Sequence, residues 1–452
     1  MQLPSSYRDD AGFVFEQEGK IYRYIHPRYY NDYALLMESG LYDDLQKKGW
    51  LISHEEIADT NQFNLPEGKL LLPKQIPFIC YPYEWSFDMW KDAALLTLQV
   101  ATTALKKGMV LKDATPFNIQ FMHGKPLFID TLSFEKYEEG KSWVAYRQFC
   151  ECFLGPLLLM HYCHPSTNKL ITIYPGGIPL EVLVNLLPKR SRWNLNTYLH
   201  IHLQSRFSGN GKRKKAVEKP FSKQKLELII KGLGSFVSKI DVKKLSSTWN
   251  DYYSNTIPGN DYLDEKTKLV LSFLKETDFK HMIDLGANDG HFSLLFSNTE
   301  KNIIAIDEDA NCINALYNKI KTERITNILP MVADLSSPSP AIGWNNNERS
   351  SLTTRLKTDL VLALALVQHL AISCNLPLNM IAEWMKNMGE YLLIEFVPKT
   401  DDKLQLLLEN RKDIFHDYNL ARFKEIFGVH YNLLREEIVG KTGRVLFLMK
   451  RR

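Results

Sequence analysis

The segment HMIDLGANDGHFS, residues 281–293, constrains this chain more than any other stretch of it. An apolar run carries Asp284 and passes at once into Gly286, Asn288 and Gly290, after which a helical segment begins. Glycines at a strand-to-helix turn let the backbone approach a ligand closely, and asparagine tolerates a left-handed backbone better than most residues. Asn288 therefore stands where a middle glycine is common. From about Asp278 onward the runs HMIDLG, NIIAID, NILPMVAD, TDLVLALAL and EYLLIEFV are short, apolar and separated by helical segments. Buried parallel strands read in this way. The closing YNLLREEIVGKTGRVLFLMK gives two β runs around a glycine-containing turn, an antiparallel hairpin added to a parallel sheet.

Two further acids end strands in the same series. Asp307 closes NIIAID about 20 residues after the glycine turn, the position from which a carboxylate binds ribose hydroxyls in nucleotide-binding α/β folds. Asp334 closes the third strand in MVAD, where it can meet an adenine amino group. A nicotinamide-binding Rossmann domain is the competing reading. It is opposed by His-Phe-Ser after Gly290, which lacks the third glycine of G-x-G-x-x-G, and by an acid two residues before the first glycine.

With these motifs in place, the C-terminal region, about 249–452, resembles a class I S-adenosylmethionine-dependent methyltransferase, an α/β Rossmann-like fold with a terminal antiparallel strand. The resemblance implies S-adenosylmethionine as cofactor. It assigns Gly286, Asn288 and Gly290 to the turn along the cofactor, Asp284 to its amino-acid end, Asp307 to ribose and Asp334 to adenine. The segments DLVLALALVQHL and LLIEFVPK resemble a subgroup that includes rhizobial nodulation-type methyltransferases, which points to a small-molecule or oligosaccharide-type acceptor.

Ligands of open α/β sheets lie at the carboxyl ends of the strands, so Gln368, His369, Glu395 and Lys399 are expected at the reaction site. His369 and Glu395 are the candidate catalytic residues; His369 titrates near working pH and is placed to take a proton from a substrate hydroxyl, or else it only packs. Trp249, Tyr252 and Tyr253 form an aromatic cluster upstream, with Tyr253 a candidate cap on the cofactor's charged sulfur, or plain packing.

The front of the chain, residues 1–205, reads as a separate α+β domain, with β-type runs GFVFE, KIYRYI, IPFICYPY and PLFID among helical segments. In GMVLKDATPFNIQFMHGKPLFID, Asp113 and Asn118 have the spacing D-x-x-x-x-N, and a strand and turn lead to Asp130. This resembles the catalytic loop and metal-binding acid of the kinase-like fold. Intact chemistry would give Asp113 the substrate hydroxyl, and Asn118 and Asp130 a magnesium ion. Leu111 and Lys112 replace the usual His-Arg or His-Gly, Asp130 is followed by Thr-Leu, and no glycine-rich loop or V-A-I-K lysine is evident before IPFICYPYEW, which falls where such folds have their hinge. A degenerate lobe that aids acceptor binding is thus expected, with a bifunctional kinase-methyltransferase as the alternative.

Residues 206–248 read as a basic, partly helical linker containing GKRKK. No aromatic interleaving accompanies these lysines, which favours solvated chain over base stacking. RNA methylation is a third reading; the absence of an Asn-Pro-Pro-Tyr type motif after the fourth strand opposes transfer to base amino groups. Net charge is only +4, so any basic surface is local. The Cys150, Cys152, His161, Cys163 and His164 group has ligand-type residues but not the spacing of a zinc ribbon or finger, and no metal is expected. Six scattered cysteines suit a reducing compartment, no apolar run reaches the roughly 20 residues of a membrane span, and the start lacks a secretory signal, so a cytoplasmic protein is expected.

Overall fold

The computed structural model describes residues 2–60, 63–208, 221–242, 259–409 and 412–452. Two compact units emerge. One comprises Met1–Lys243 with Ala341–Ser350, the other Lys244–Pro340 with Ser351–Arg452.

In the first unit β1 (Gly12–Gln17), β2 (Lys20–Ile25), β3 (His54–Ile57) and β4 (Lys69–Pro73) form an antiparallel sheet in the order β1-β2-β4-β3. Alternation along β1 and β2 sets Phe13, Phe15, Tyr22 and Tyr24 into an aromatic cluster with Phe63 and Leu70. The 20-residue helix Phe87–Lys106 buries Trp90, Ala94, Leu98, Ala101 and Leu105, spaced for one helical face. Beyond it, β5 (Met109–Leu111) pairs with β8 (Phe134–Lys136), and β6 (Ile119–Met122) with β7 (Lys125–Phe128).

Three expectations for this unit are revised. IPFICYPY is not a strand: Pro77 and Pro82 have no N–H to offer a ladder, and the Gln120 side chain instead exchanges hydrogen bonds with the Cys80 backbone, at 3.0 Å in each direction. Within the expected linker, Lys223–Ser238 is a helix capped by Ser222, whose Leu226, Ile230, Leu233, Phe236 and Val237 are buried as it packs on Phe87–Lys106. The short segment 341–350 also belongs here: Glu348 accepts hydrogen bonds from Tyr7 and from Arg8 (2.6 Å), and the Arg349 guanidinium lies 4.7 Å from the Phe117 ring centre.

The second unit is the mostly parallel sheet expected from its apolar runs. Its strands are β9 (His281–Leu285), β10 (Asn302–Asp307), β11 (Ile328–Val332), β12 (Thr358–Ala363), β13 (Gly389–Phe396), β14 (Tyr431–Ile438) and β15 (Val445–Arg451). They lie in the order β11-β10-β9-β12-β13-β15-β14, with β9 to β13 parallel and β15 antiparallel to both its neighbours. Chain order reverses at β9, which has β10 on one side and β12 on the other. This switch point opens a crevice at the carboxyl ends of the strands. Helices such as Gly259–Leu274, Ala310–Glu323 and Leu378–Lys386 supply the rest of the core.

A buried charge network fastens one end of this sheet. Lys266 Nζ donates to Glu395 at 2.6 Å, and their side chains are 2% and 0% exposed. Tyr262 donates to the other Glu395 oxygen at 3.1 Å, and Arg444 donates to Tyr262 at 3.0 Å while its fork holds both oxygens of Asp401 at 2.7 and 2.9 Å. Removing one partner of such a pair strands a buried charge, whereas replacing both with apolar groups does not. Lys266→Met is therefore expected to lower unfolding stability by about 3–5 kcal/mol, and Lys266→Met with Glu395→Leu to recover most of that loss in denaturant titrations. A single variant as stable as the parent would show that the network does not anchor the sheet.

Candidate cofactor and reaction site

The switch point gathers the residues that the sequence singles out. After β9 the backbone turns through Gly286 (φ 74°), Asn288 (φ 53°) and Gly290 (φ 84°), all left-handed. At Gly290 a side chain is disfavoured for a second reason, because its Cβ would lie 2.5 Å from a terminal methyl of Leu316, which would have to move. The close fit lets the helix after the turn sit against Ala310–Glu323. At Gly286 a Cβ would meet Leu366 at 3.4 Å, so this turn runs beside the corner that follows β12.

Asp284 is buried at the end of β9 and accepts the Ser293 hydroxyl at 2.7 Å. Burial pushes its carboxyl up to about 6, with Ser293 working in the opposite direction. Asp307 ends β10, one strand over, and its two oxygens accept the Asn288 N–H at 2.8 Å and the Asp309 N–H at 2.9 Å. Burial raises its pKa against those backbone bonds. The glycine turn and the second acid are thus one unit, tied further by Gly286 N–H and Ala287 N–H to the Ile306 carbonyl, both at 2.9 Å. Asp334 follows β11, half-buried, and accepts from the Ser336 backbone at 2.8 Å and hydroxyl at 2.6 Å. Three carboxylates therefore stand at or just past the carboxyl ends of the neighbouring strands β9, β10 and β11, stepped by two residues from each strand to the next, since Asp284 is level with Ala305 and Asp307 with Val332. The set suits a nucleoside ligand with a cationic amino-acid end: acids for ribose, adenine and ammonium, and a turn where a side chain would crowd the ligand.

The corner after β12 holds Gln368 and His369. Ala365 takes a left-handed backbone (φ 50°), unusual for a residue with a Cβ, and its carbonyl accepts Gln368 Nε2 at 2.7 Å. His369 opens the π-helical turn His369–Ser373, a form often found at functional sites. Burial pushes its imidazole down to about 4, with the Lys403 and Arg444 cations adding to the effect. It is neutral at working pH and a weak base.

Glu395 does not match its expected role. It is fully buried, Lys266 and Tyr262 take its oxygens, and the cations Lys266 and Arg444 keep it ionised despite burial; it holds the sheet end together and is not poised to move a proton. Lys399 is engaged by Asp413 at 2.8 Å. Trp249, Tyr252 and Tyr253 lie outside the described residues, as does GKRKK. Sequence reading missed Lys266, Arg444 and Lys403, because nothing in their local pattern marks the distant groups that they meet or influence.

In the first unit, Asn118 Nδ2 donates to Asp113 at 3.2 Å and to the Ser133 hydroxyl at 3.1 Å, and Ser133 donates to Asp130. The D-x-x-x-x-N loop and the later acid therefore meet. Arg23 of β2 ion-pairs with Asp130 at 2.5 Å, and Gln148 donates to Asp113 at 2.5 Å. Burial, with Asp130 nearby, raises the Asp113 pKa. Cys150 and Cys152 are buried in a π-helical turn and Cys163 is exposed; no group of three or more His, Cys, Asp or Glu suited to a metal occurs among the described residues. No described helix is long and apolar enough to cross a membrane.

No family model matches the chain. The nodulation protein NoeA of Rhizobium meliloti (strain 1021) is 31% identical over 463 residues, spanning 100% of this chain and 96% of that protein. Structure comparison aligns the N-methyltransferase NodS from Bradyrhizobium japonicum WM9 in complex with S-adenosyl-L-homocysteine, at 13% identity over 46% of this chain and 93% of that one, with a TM-score of 0.34. It also aligns the magnesium protoporphyrin IX methyltransferase from Synechocystis PCC 6803 with bound SAM, at 14% identity over 45% and 92% of the two chains, with a TM-score of 0.31.

The raised Asp284 pKa has a measurable sign. The folded protein holds this proton more tightly than the unfolded chain, so the group's contribution is present at low pH and is lost as pH rises from about 4 to about 6. The cost to the ligand-free protein is about 3 kcal/mol. Asp284→Asn should therefore gain stability over the parent as pH rises from 4 to 7 in melting experiments; a pH-independent difference would contradict the assignment.

Proposed function

Since this chain belongs to the family of the nodulation protein NoeA, we propose that it is an S-adenosylmethionine-dependent methyltransferase acting on a small-molecule or oligosaccharide-type acceptor. The reading is carried by one observation: Asp284, Asp307 and Asp334 end successive parallel strands around a left-handed glycine turn at the switch point of the sheet. S-adenosylmethionine supplies a methyl group on a sulfonium, an excellent leaving group, so the protein's contribution is chiefly positioning. Asp307 binds the ribose hydroxyls, Asp334 the adenine edge, and Asp284 the ammonium of the amino-acid end. Buried carboxylates discriminate well here, since each gains a charge-assisted partner only when the ligand arrives. The acceptor enters beside Gln368 and His369, and the nodulation-type resemblance favours an oligosaccharide-type molecule. The first unit aids acceptor binding.

A second reading adds phosphotransfer, favoured by the meeting of Asp113, Asn118 and Asp130. Arg23 opposes it, because its guanidinium already occupies the carboxylate that would hold a metal. ATP hydrolysis abolished by Asp130→Ala would establish this reading, and no binding of Mg-ATP would remove it.

The methyltransferase reading is tested by calorimetric titration with S-adenosylhomocysteine. The parent binds, and Asp307→Ala weakens binding by about 10- to 100-fold, the usual cost of a lost charged hydrogen bond. Absence of binding to folded protein, or an unchanged constant in Asp307→Ala, would refute it.

A further inference from the structure

Gln368 carries a feature that the cofactor site does not explain. It is 3% exposed, and its Nε2 is engaged with the Ala365 carbonyl. Its Oε1 is buried, and no described residue donates to it. A buried carbonyl left without a donor is destabilising, and such groups are rare enough in native proteins to call for a cause. Three further facts set the Gln368 corner beside the glycine turn. Gln368 sits two residues after Leu366, the side chain that lies against the Gly286 turn. The corner is strained at Ala365, and the backbone immediately after Gln368 is the π-helical turn His369–Ser373. Strain and π-turns persist where function holds them.

We propose that Gln368 Oε1 accepts a hydrogen bond from the N–H of the acceptor, and that the acceptor nucleophile is an aliphatic amine. This rests on the methyltransferase reading. The orphaned atom requires a donor, which excludes thiolates, carboxylates and tertiary amines as the group it holds. Between the remaining nucleophiles the available bases decide. A hydroxyl must shed its proton as it attacks, and neither candidate base can readily take it, since Glu395 is locked by Lys266 and Tyr262 and the His369 imidazole is weakly basic. An unprotonated amine attacks through its own lone pair. The new N–C bond forms as the S–C bond of the sulfonium breaks, sulfur keeps that electron pair and becomes a thioether, and the resulting ammonium then releases its proton to solvent. A nucleobase amino group has its lone pair delocalised into the ring and fits this unassisted site less well.

The test uses the full chain with tritium-labelled S-adenosylmethionine and three amines, glucosamine, ethanolamine and putrescine, each beside its hydroxyl counterpart, glucose, ethylene glycol and 1,4-butanediol. Methyl transfer to an amine and not to its counterpart is expected. Gln368→Leu should lower kcat/KM for that amine about 10- to 100-fold. It should weaken calorimetric binding of the amine to the S-adenosylhomocysteine complex by a similar factor, and leave S-adenosylhomocysteine affinity within about twofold. Gln368→Glu, which keeps an acceptor oxygen, should retain turnover well above the leucine variant. Methylation of a hydroxyl counterpart, turnover on none of the amines by protein that binds S-adenosylhomocysteine, or unchanged amine kinetics in Gln368→Leu would each overturn the proposal. Failure to bind S-adenosylhomocysteine at all would instead refute the methyltransferase reading beneath it.

Discussion

The ion network of Lys266, Glu395, Arg444 and Asp401 is the interaction on which the geometry of the second unit depends. It ties together a helix that precedes β9, the carboxyl end of β13, the turn between β14 and β15, and the cap of the helix Asp402–Leu408. Three regions of chain far apart in sequence, around Lys266, Glu395–Asp401 and Arg444, are thereby fixed at one end of the sheet. Buried ions are an expensive way to hold a fold, since desolvation offsets most of their attraction. What they add is direction: a carboxylate satisfied by an ammonium, a phenol and a nearby guanidinium tolerates one arrangement, whereas apolar packing tolerates several. The same cations have an effect beyond structure. Burial lowers the pKa values of both His369 and Lys403, the latter to about 8, and Arg444 adds to both shifts while Lys266 adds only to that of Lys403. The electrostatics of the reaction region are thus set by the groups that lock its frame.

The glycine turn imposes the complementary constraint. Left-handed backbone at three alternate positions places successive N–H groups on the β10 side, where Ile306 O and the Asp307 carboxylate receive them. The turn is consequently held by the acid that also faces the ligand crevice. A change at Asp307 therefore loosens the turn, because its carboxylate accepts the Asn288 N–H from the neighbouring strand's loop.

What could be read from the sequence follows from how local each feature is. Five parallel strands, the hairpin and the three acids were legible because β-branched and apolar runs, glycines and strand-ending carboxylates are signals confined to a few residues. IPFICYPY reads as a strand by composition, but its prolines and the Gln120 side chain decide otherwise. The helical character of Lys223–Ser238 was legible, but not that its apolar face packs on Phe87–Lys106 rather than serving as a linker. Segment 341–350 could not be assigned to the first unit by any local rule, since long-range contacts such as Arg349 on Phe117, the bonds to Glu348 and the Ser350 N–H to Tyr81 put it there. Glu395 illustrates the limit most clearly. Its position at the end of a strand was legible, but its role depends on Lys266, 129 residues away in the chain.

The polar cluster of the first unit follows the same physics from the opposite side. Two half-buried carboxylates close enough to raise a pKa repel one another, and something positive must stand between them and the interior. A divalent cation is one solution and a guanidinium is another. Arg23 supplies the second, with Ser133 and Asn118 linking Asp130 to Asp113 and Gln148 closing the far side. The Asp130 carboxylate is thereby matched by a guanidinium of the same unit. A site that must bind a metal and a phosphate would need Arg23 to leave Asp130, giving up a charge-assisted bond at 2.5 Å in a half-buried setting. Binding of a neutral, hydroxyl-rich molecule needs no such displacement. The cluster as it stands is thus a charge-balanced polar core element rather than an open pair of acids.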